Sequence, residues 1–197
     1  MLNGWMGTGV IQEMGGEEAR LCVTFDTPPP PPADVTLVCA LPRPKFLRRV
    51  LLSATTMGVK QVYLIKTWRV DKSYWQTPLL GPETMHALLV EGLEQCRDTR
   101  MPAVHLRRAF RPFVEDELPG LVQQGAGVAL HPGEERVSLC ALGRPLVVLL
   151  GPEGGFIPWE VAMLRGAGCR IAGLGPRVLR VEDAVASVLG MCILGGG

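Results

Sequence analysis

The stretch 146-LVVLLGPEGGFIPWE-160 decides the fold. Five consecutive aliphatic residues, 146-LVVLL-150, read as a strand buried on both faces, because a half-solvated strand would alternate apolar with polar residues. Behind it comes 151-GPEGG-155, and then a helix-like pattern led by Pro158, a residue suited to a first helical turn. In open α/β sheets, ligands bind outside the carboxyl ends of the strands, where this bend falls. Glycine permits φ > 0 and lets a ligand approach main-chain amides. A helix starting near Pro158 aims unpaired N–H groups back at the bend. The bend is therefore shaped for close contact with something polar, or it is a tight strand-to-helix turn that binds nothing. It matches no phosphate fingerprint, since neither GxGxxG nor GxxxxGK[ST] occurs. Glu153 would repel a phosphate and would suit a cation or a sugar hydroxyl better.

The same alternation repeats upstream and downstream. The run 35-VTLVCAL-41 is β-rich. In 44-PKFLRRVLLSATTMG-58, Phe46, Leu47, Val50, Leu51, Ala54 and Met57 recur at helical spacing. Pro44 suits the first turn and Gly58 the end. A strand is predicted at 61-QVYLIK-66, then a helix from Pro82 to about Arg97 with Met85, Leu88, Leu89 and Leu93 on one face. Short strands follow near 103-AVHL-106 and 127-GVALH-131, with helices over 158-PWEVAMLRGA-167 and 182-EDAVASVLGMC-192. Aliphatic strands, each followed by a helix, predict an α/β fold with a parallel sheet covered on both faces.

The amino-terminal part differs. Two short strands, around 8-TGVIQEM-14 and 19-ARLCVTF-25, are joined by Gly15 and Gly16. Two strands cannot make a stable core alone, so residues 1–27 read as the remnant of a small β module. Five prolines in 27-TPPPPPADV-35 favour a stiff polyproline II spacer. This places a linker at 28–34 and the main domain at 35–197.

Composition sets outer limits. A chain of 197 residues with 47% apolar content is globular rather than disordered. The net charge of +1 neither demands nor excludes a nucleic-acid partner. The basic residues are 16 Arg against 4 Lys; the Arg fork suits phosphate, though GC-rich coding would give the same bias. The start, 1-MLNGWMGTGV-10, lacks the basic and apolar parts of a signal peptide. No apolar run approaches the ~20 residues that span a bilayer, so no membrane is expected. Six scattered cysteines, with no CxxC and no nearby His pair, give no reason to expect a metal. They fit a reducing, cytoplasmic compartment.

A second glycine turn meets a helix start at 173-GLGPRVLRVEDA-184. Glu182 and Asp183 fall in the first helical turn, where the dipole favours acids, so helix capping explains them as well as catalysis does. Arg177 and Arg180 lie three apart beside the turn. Either could hold a carboxylate or phosphate by its fork, or clamp Glu153 or Glu182.

Together the two stretches are far more specific than either alone. LLGPEGGF followed by LGPRVLRVEDA resembles the RsmE-type methyltransferases of the SPOUT superfamily, which methylate a uridine N3 in 16S ribosomal RNA. The matching residues are Gly151, Pro152, Glu153, Gly154 and Gly155, then Leu174, Gly175, Arg177, Val178, Leu179, Arg180, Glu182 and Ala184. Weaker echoes lie at 37–62, at 94-EQCRDTRMPAVH-105 and at 128-VALHPGEE-135, so the likeness runs from about residue 28 to the carboxy terminus. The resemblance implies a SPOUT fold with a C-terminal trefoil knot, an exception to the rule against knots. It implies S-adenosylmethionine as cofactor, held by Leu130 and His131, by Leu150 with the 151–155 turn, and by Leu174, Gly175, Val178, Leu179 and Arg180. Arg177, Arg180 and Glu182 become the catalytic candidates. Ribosomal RNA becomes the substrate and a homodimer the working form.

The chain departs from the family pattern in places. Its β module has two strands where relatives carry a complete PUA-like domain. Ser53–Gly58 replaces a family Lys/Glu segment, and in 67-TWRVDKSYW-75 Arg69 alone stands for the family's E-R-S. Ile157 replaces a helix-capping Ser, a change costing on the order of 1 kcal/mol. Arg43, Arg48, Arg49, Arg69, Arg97 and Arg100 offer an RNA phosphate footprint. Trp68 and Trp75 could stack a flipped base or pack internally. A second reading follows from these losses: a non-catalytic RNA-binding or ribosome-assembly protein that keeps the fold.

Overall fold

The computed structural model of the chain describes residues 2–194. Residue 1 and residues 195–197, the outer ends of the expected segments 1–27 and 35–197, lie outside the described residues. The main sheet has six strands in the order β5-β4-β3-β7-β6-β8, every pairing parallel. They are β3 (Val35–Ala40), β4 (Gln61–Ile65), β5 (Ala103–Arg107), β6 (Ala126–Leu130), β7 (Leu146–Leu150) and β8 (Cys169–Ala172). All five residues of β7 are buried, as the unbroken aliphatic run requires. Its register places Leu150 beside Cys39 of β3 on one side and Leu130 of β6 on the other.

The helices are α1 (Pro44–Thr56), α2 (Pro82–Cys96), α3 (Phe110–Pro112), α4 (Leu118–Val122), α5 (Pro158–Gly166) and α6 (Val181–Leu194), with a π turn over Phe113–Glu117 between α3 and α4. The chain steps from β3 through β4 to β5, then crosses back to β6. Right-handed crossovers then put α1 and α2 on one face and α4 and α5 on the other. Helix α1 packs between α2 and α6. The α1–α2 contact is close because Gly92 has no side chain: a Cβ there would stand 2.8 Å from Cβ of Thr55. Helix α1 ends at Gly58, whose φ of +78° is a conformation glycine adopts without steric cost.

Leu37, Leu64, Ile65, Leu146 and Leu149 of the sheet, with Leu47 and Leu51 of α1, are fully buried. Each such side chain contributes roughly 2 kcal/mol relative to exposure. Cys39 and Cys169 are core residues, and burial pushes both thiols up to about 12. Among the described residues, no helix is long and apolar enough to cross a membrane.

Ahead of the sheet, β1 (Met6–Met14) and β2 (Ala19–Thr27) form a separate antiparallel ribbon. Every residue of β2 is exposed. The base of the ribbon is tied to the domain where Asn3 N–H donates to Thr99 O (2.6 Å) and Asn3 Oδ1 accepts Met101 N–H (2.9 Å). The proline segment has no helix or strand, and Ala33 N–H bonds Gly58 O at its far end.

Candidate functional site

Connections leave β3 toward one edge of the sheet and β7 toward the other. The crevice between their carboxyl ends is thus the topological switch point, the place where such sheets take ligands. Three loops at the carboxyl ends of β6, β7 and β8 converge next to it, on the β7 side, while the β3 loop and the start of α1 border the crevice itself. In the β7 loop, Gly155 N–H donates to Pro152 O (2.7 Å), which turns the chain sharply over Glu153 and Gly154. Gly155 has φ +71°, and a Cβ there would lie 3.6 Å from Cε1 of His131 in the β6 loop. That loop runs beside the third: His131 N–H donates to Ala172 O (2.9 Å) and Gly173 N–H to Glu135 O (2.8 Å). Gly173 leaves no room for a side chain, since its Cβ would stand 2.1 Å from Glu134 O.

The loops enclose a pocket of about 80 Å³. Leu130 and His131 line it from β6, Leu150, Gly151, Pro152, Glu153 and Gly155 from β7, and Leu174, Gly175, Arg177, Val178 and Leu179 from the last loop. The two bends singled out in the sequence therefore converge. His131 Nδ1 is buried and has no partner among the described residues, a polar atom left open beside the pocket. Four residues of this pocket, Glu153, Val178, Leu179 and Val181, also line a wider cleft of about 630 Å³. Arg43, Lys45, Phe46, Arg49, Arg180 and Glu182 complete that cleft, where four cations face two carboxylates.

Helix α1 has no acid in its first turn, and Glu153 supplies one from the β7 loop. Its carboxylate accepts the Arg43 N–H (3.3 Å) and stands 3.7 Å from the Arg43 guanidinium. This placement suits the positive end of the helix. Glu182 is 6% exposed in the first turn of α6. One of its oxygens lies 3.7 Å from Arg49, and the other is buried with no partner among the described residues.

Helix α5 starts without a side-chain cap at Ile157, as the sequence suggested. Pro158 has no N–H to satisfy. Glu160, 1% exposed, reaches back to accept the Ile157 N–H (2.9 Å). Its other oxygen accepts the Trp68 N–H (2.7 Å) from the loop after β4. Arg69 of that loop donates to the carbonyl of Gly154. The β4 loop is thus fastened to the glycine bend from two sides.

The arginines proposed for RNA fall into three groups. Arg43 and Arg49 line the cleft, and Arg69 sits on its β7 loop. Arg48 faces away and bonds both oxygens of Glu91 on α2 (2.6 Å each), which clamps two helices. Arg97 takes the left-handed position ending α2 (φ +54°), and Arg100 precedes β5, so both lie at the amino edge of the sheet, opposite the cleft. Of the tryptophans, Trp75 is buried and Trp68 is 81% exposed. Gly154, expected to touch a cofactor, faces Arg69: a Cβ on it would stand 2.9 Å from Arg69 Cδ. Sequence reading missed Pro132, Val181 and Ala184 in the pocket and Phe46 in the cleft. Ala184 and Val181 sat inside the quoted motif without being assigned to the pocket.

This combination of a parallel sheet, a switch-point crevice and three converging carboxyl-end loops defines an α/β ligand-binding domain. Residues 29–193 match the RNA methyltransferase domain family. The chain is 32% identical over 189 residues to ribosomal RNA small subunit methyltransferase E of Mycobacterium bovis, covering 89% of this chain and 68% of that protein. It is 28% identical over 155 residues to the protein of the same name from Treponema pallidum, covering 77% of this chain but 58% of that one. The chain thus spans little more than half the length of the Treponema relative. The fold is similar to that of a Neisseria gonorrhoeae ribosomal RNA small subunit methyltransferase E solved bound to S-adenosyl methionine (TM-score 0.72, 18% identity, 93% of this chain and 76% of that one). A Legionella pneumophila protein in complex with SAM is similar to a comparable degree (TM-score 0.70, 21% identity, 96% and 78%). The chain belongs to the RNA methyltransferase domain family, and within it to the ribosomal RNA small subunit methyltransferase E type.

Proposed function

We propose that the chain transfers the methyl group of S-adenosylmethionine to N3 of a uridine in small-subunit ribosomal RNA. The observation that carries this reading is the convergence of the 151–155 and 173–180 bends with the His131 loop on one pocket. The residues present fit such a donor once the small pocket and the adjoining cleft of about 630 Å³, joined through Glu153, Val178, Leu179 and Val181, are taken together. A glycine cradle that a Cβ would narrow, an unpartnered His131 Nδ1 and open main-chain groups suit an adenosine edge. When bound, the donor supplies an electrophilic methyl carbon whose bond to cationic sulfur breaks as the new bond forms.

The chain's own residues do the rest. Leu130, Leu150 and Leu174 give the pocket apolar walls, and Gly151, Pro152, Gly155, Gly175, Val178 and Leu179 shape it. Holding both reactants in line supplies much of the rate. Uracil N3 is a weak acid and must lose its proton. The Glu182 carboxylate, which lines the cleft, accepts it, while Arg49 and Arg180 stabilise the negative charge that spreads to the uracil oxygens. Arg177, exposed beside the pocket, adds positive potential there.

Val178 is 77% exposed at the mouth of the cleft beside the exposed Leu179, an apolar surface that supports a homodimer. The segment 1–27, which contains the β1–β2 ribbon, is read as the remnant of a small β module, and the substrate points to the cytoplasm. The test is methyl transfer from labelled S-adenosylmethionine to small-subunit ribosomal RNA, mapped by reverse transcription. A methyl on N3 blocks base pairing and stops the transcript at one uridine. An unlabelled RNA under saturating donor would refute the reading.

A further inference from the structure

The carboxyl edge of the sheet carries an aromatic surface that the donor pocket does not use. Trp68 is 81% exposed after β4, and Trp159 is 51% exposed at the start of α5. One exposed apolar side chain is ordinary; two large aromatic side chains exposed on neighbouring loops of the same sheet edge are informative together. Their positions are fixed. The buried carboxylate of Glu160, next to Trp159 in sequence, holds the backbone N–H of Trp68 at 2.7 Å. The ring of Trp159 leans on buried Phe110, with centroids 5.9 Å apart and planes at 51°. Two cations at this edge have no acidic partner among the described residues. Arg69 donates to the Gly154 carbonyl, and the Arg108 guanidinium lies 5.1 Å above the ring of Trp75.

We propose that Trp68 and Trp159 form a stacking platform for unpaired RNA bases next to the reactive uridine, with Arg69 and Arg108 facing the phosphates. Every base has a π face, so such a surface grips single strands with little regard to sequence. A uridine must leave its stack to expose N3, and its neighbours then need somewhere to go. The platform is joined to the β7 loop of the donor site by the Arg69–Gly154 hydrogen bond, and the guanidinium groups of Arg69 and Arg108 give it the charge that RNA phosphates require. The inference rests on RNA being the substrate.

The experiment is fluorescence anisotropy of a labelled single-stranded, uridine-rich RNA ten nucleotides long, titrated with the full chain at fixed salt. Trp68→Ala and Trp159→Ala are each expected to weaken binding roughly tenfold, the range of one lost base–aromatic stack. Trp68→Phe and Trp159→Phe should stay within about threefold of the parent, since a ring is kept. The dependence on salt should not change, because phosphate contacts are untouched. Trp68→Ala should also leave the melting temperature unchanged, so its loss of binding cannot be ascribed to misfolding. Binding by both Ala variants within twofold of the parent would overturn the proposal, as would equal affinity for a duplex of the same strand. Sedimentation showing that the Ala variants separate two copies of the chain would overturn it too, by assigning the surface to a dimer. Methyl transfer measured in parallel separates the two ideas: transfer without these binding losses removes the platform and leaves the enzyme.

Discussion

The Glu182 carboxylate stands 3.7 Å from the Arg49 guanidinium across the cleft, with its second oxygen buried and unpartnered among the described residues. A buried carboxylate with a free lone pair costs stability unless something is gained from it. Glu182→Gln keeps the shape and removes the base. It should lower the rate of methyl transfer about 100-fold while leaving the melting temperature equal or higher. Donor affinity by calorimetry should stay within a few-fold. A full-rate Gln variant would remove Glu182 from the chemistry.

Glu160 offers a sharper stability test. Both of its oxygens accept backbone N–H groups, from Trp68 and Ile157, at a site 1% exposed. In Glu160→Gln the amide nitrogen would face one of those donors. Leaving that N–H unsatisfied should cost about 2 kcal/mol, measurable in urea as a lower midpoint at constant slope. No loss of stability would mean that water or a rearranged loop takes over.

Gly155 combines φ +71° with a Cβ position 3.6 Å from His131. Gly155→Val adds strain and fills space in the donor pocket. Donor affinity should fall at least tenfold, and stability should drop by about 1–2 kcal/mol. Retained affinity would place the donor elsewhere.

Lys60 and Asp98 form a nearly buried pair, Nζ to Oδ2 2.6 Å, beneath the amino edge of the sheet. Burial opposes ionisation of Asp98, but the Arg100 N–H and the Lys60 ammonium outweigh it and hold the carboxyl below the usual 3.8. A lowered folded-state pKa stabilises the fold above the unfolded value and loses that contribution as pH falls through the folded value. Acid titration of stability should therefore show a step below about pH 4 that is absent in Asp98→Asn. At neutral pH that variant should be weaker by about 2–3 kcal/mol, because Lys60 is left without its counter-ion.

Much of this was readable in the sequence, and what was not has physical causes. Five of the six sheet strands appeared as short, mostly apolar runs, clearest in β7, whose five residues are all buried, and weakest in the edge strand β5, which is half-buried and carries His105 and Arg107. The sixth, 169-CRIA-172, escaped because it has four residues and exposes Arg170. The segment from Phe110 to Val122 escaped because Pro112 and Pro119 break its helical period around a π turn. The converging bends could be read from their glycines. The roles of the arginines could not, because a sequence does not say which carboxylate stands opposite: Arg48 is taken by Glu91, Arg43 by Glu153 and Arg49 by Glu182. Glu160 read as an ordinary helix residue, since a bond to Trp68 across 92 positions leaves no local mark.

The most direct measurement is calorimetric titration of the full chain with S-adenosylmethionine, repeated on Gly155→Val. One saturable site per chain, lost or weakened at least tenfold in the variant, is the predicted result. Absence of heat-detectable binding at millimolar donor, or equal binding by the variant, would contradict a methyl-donor pocket built from these three loops.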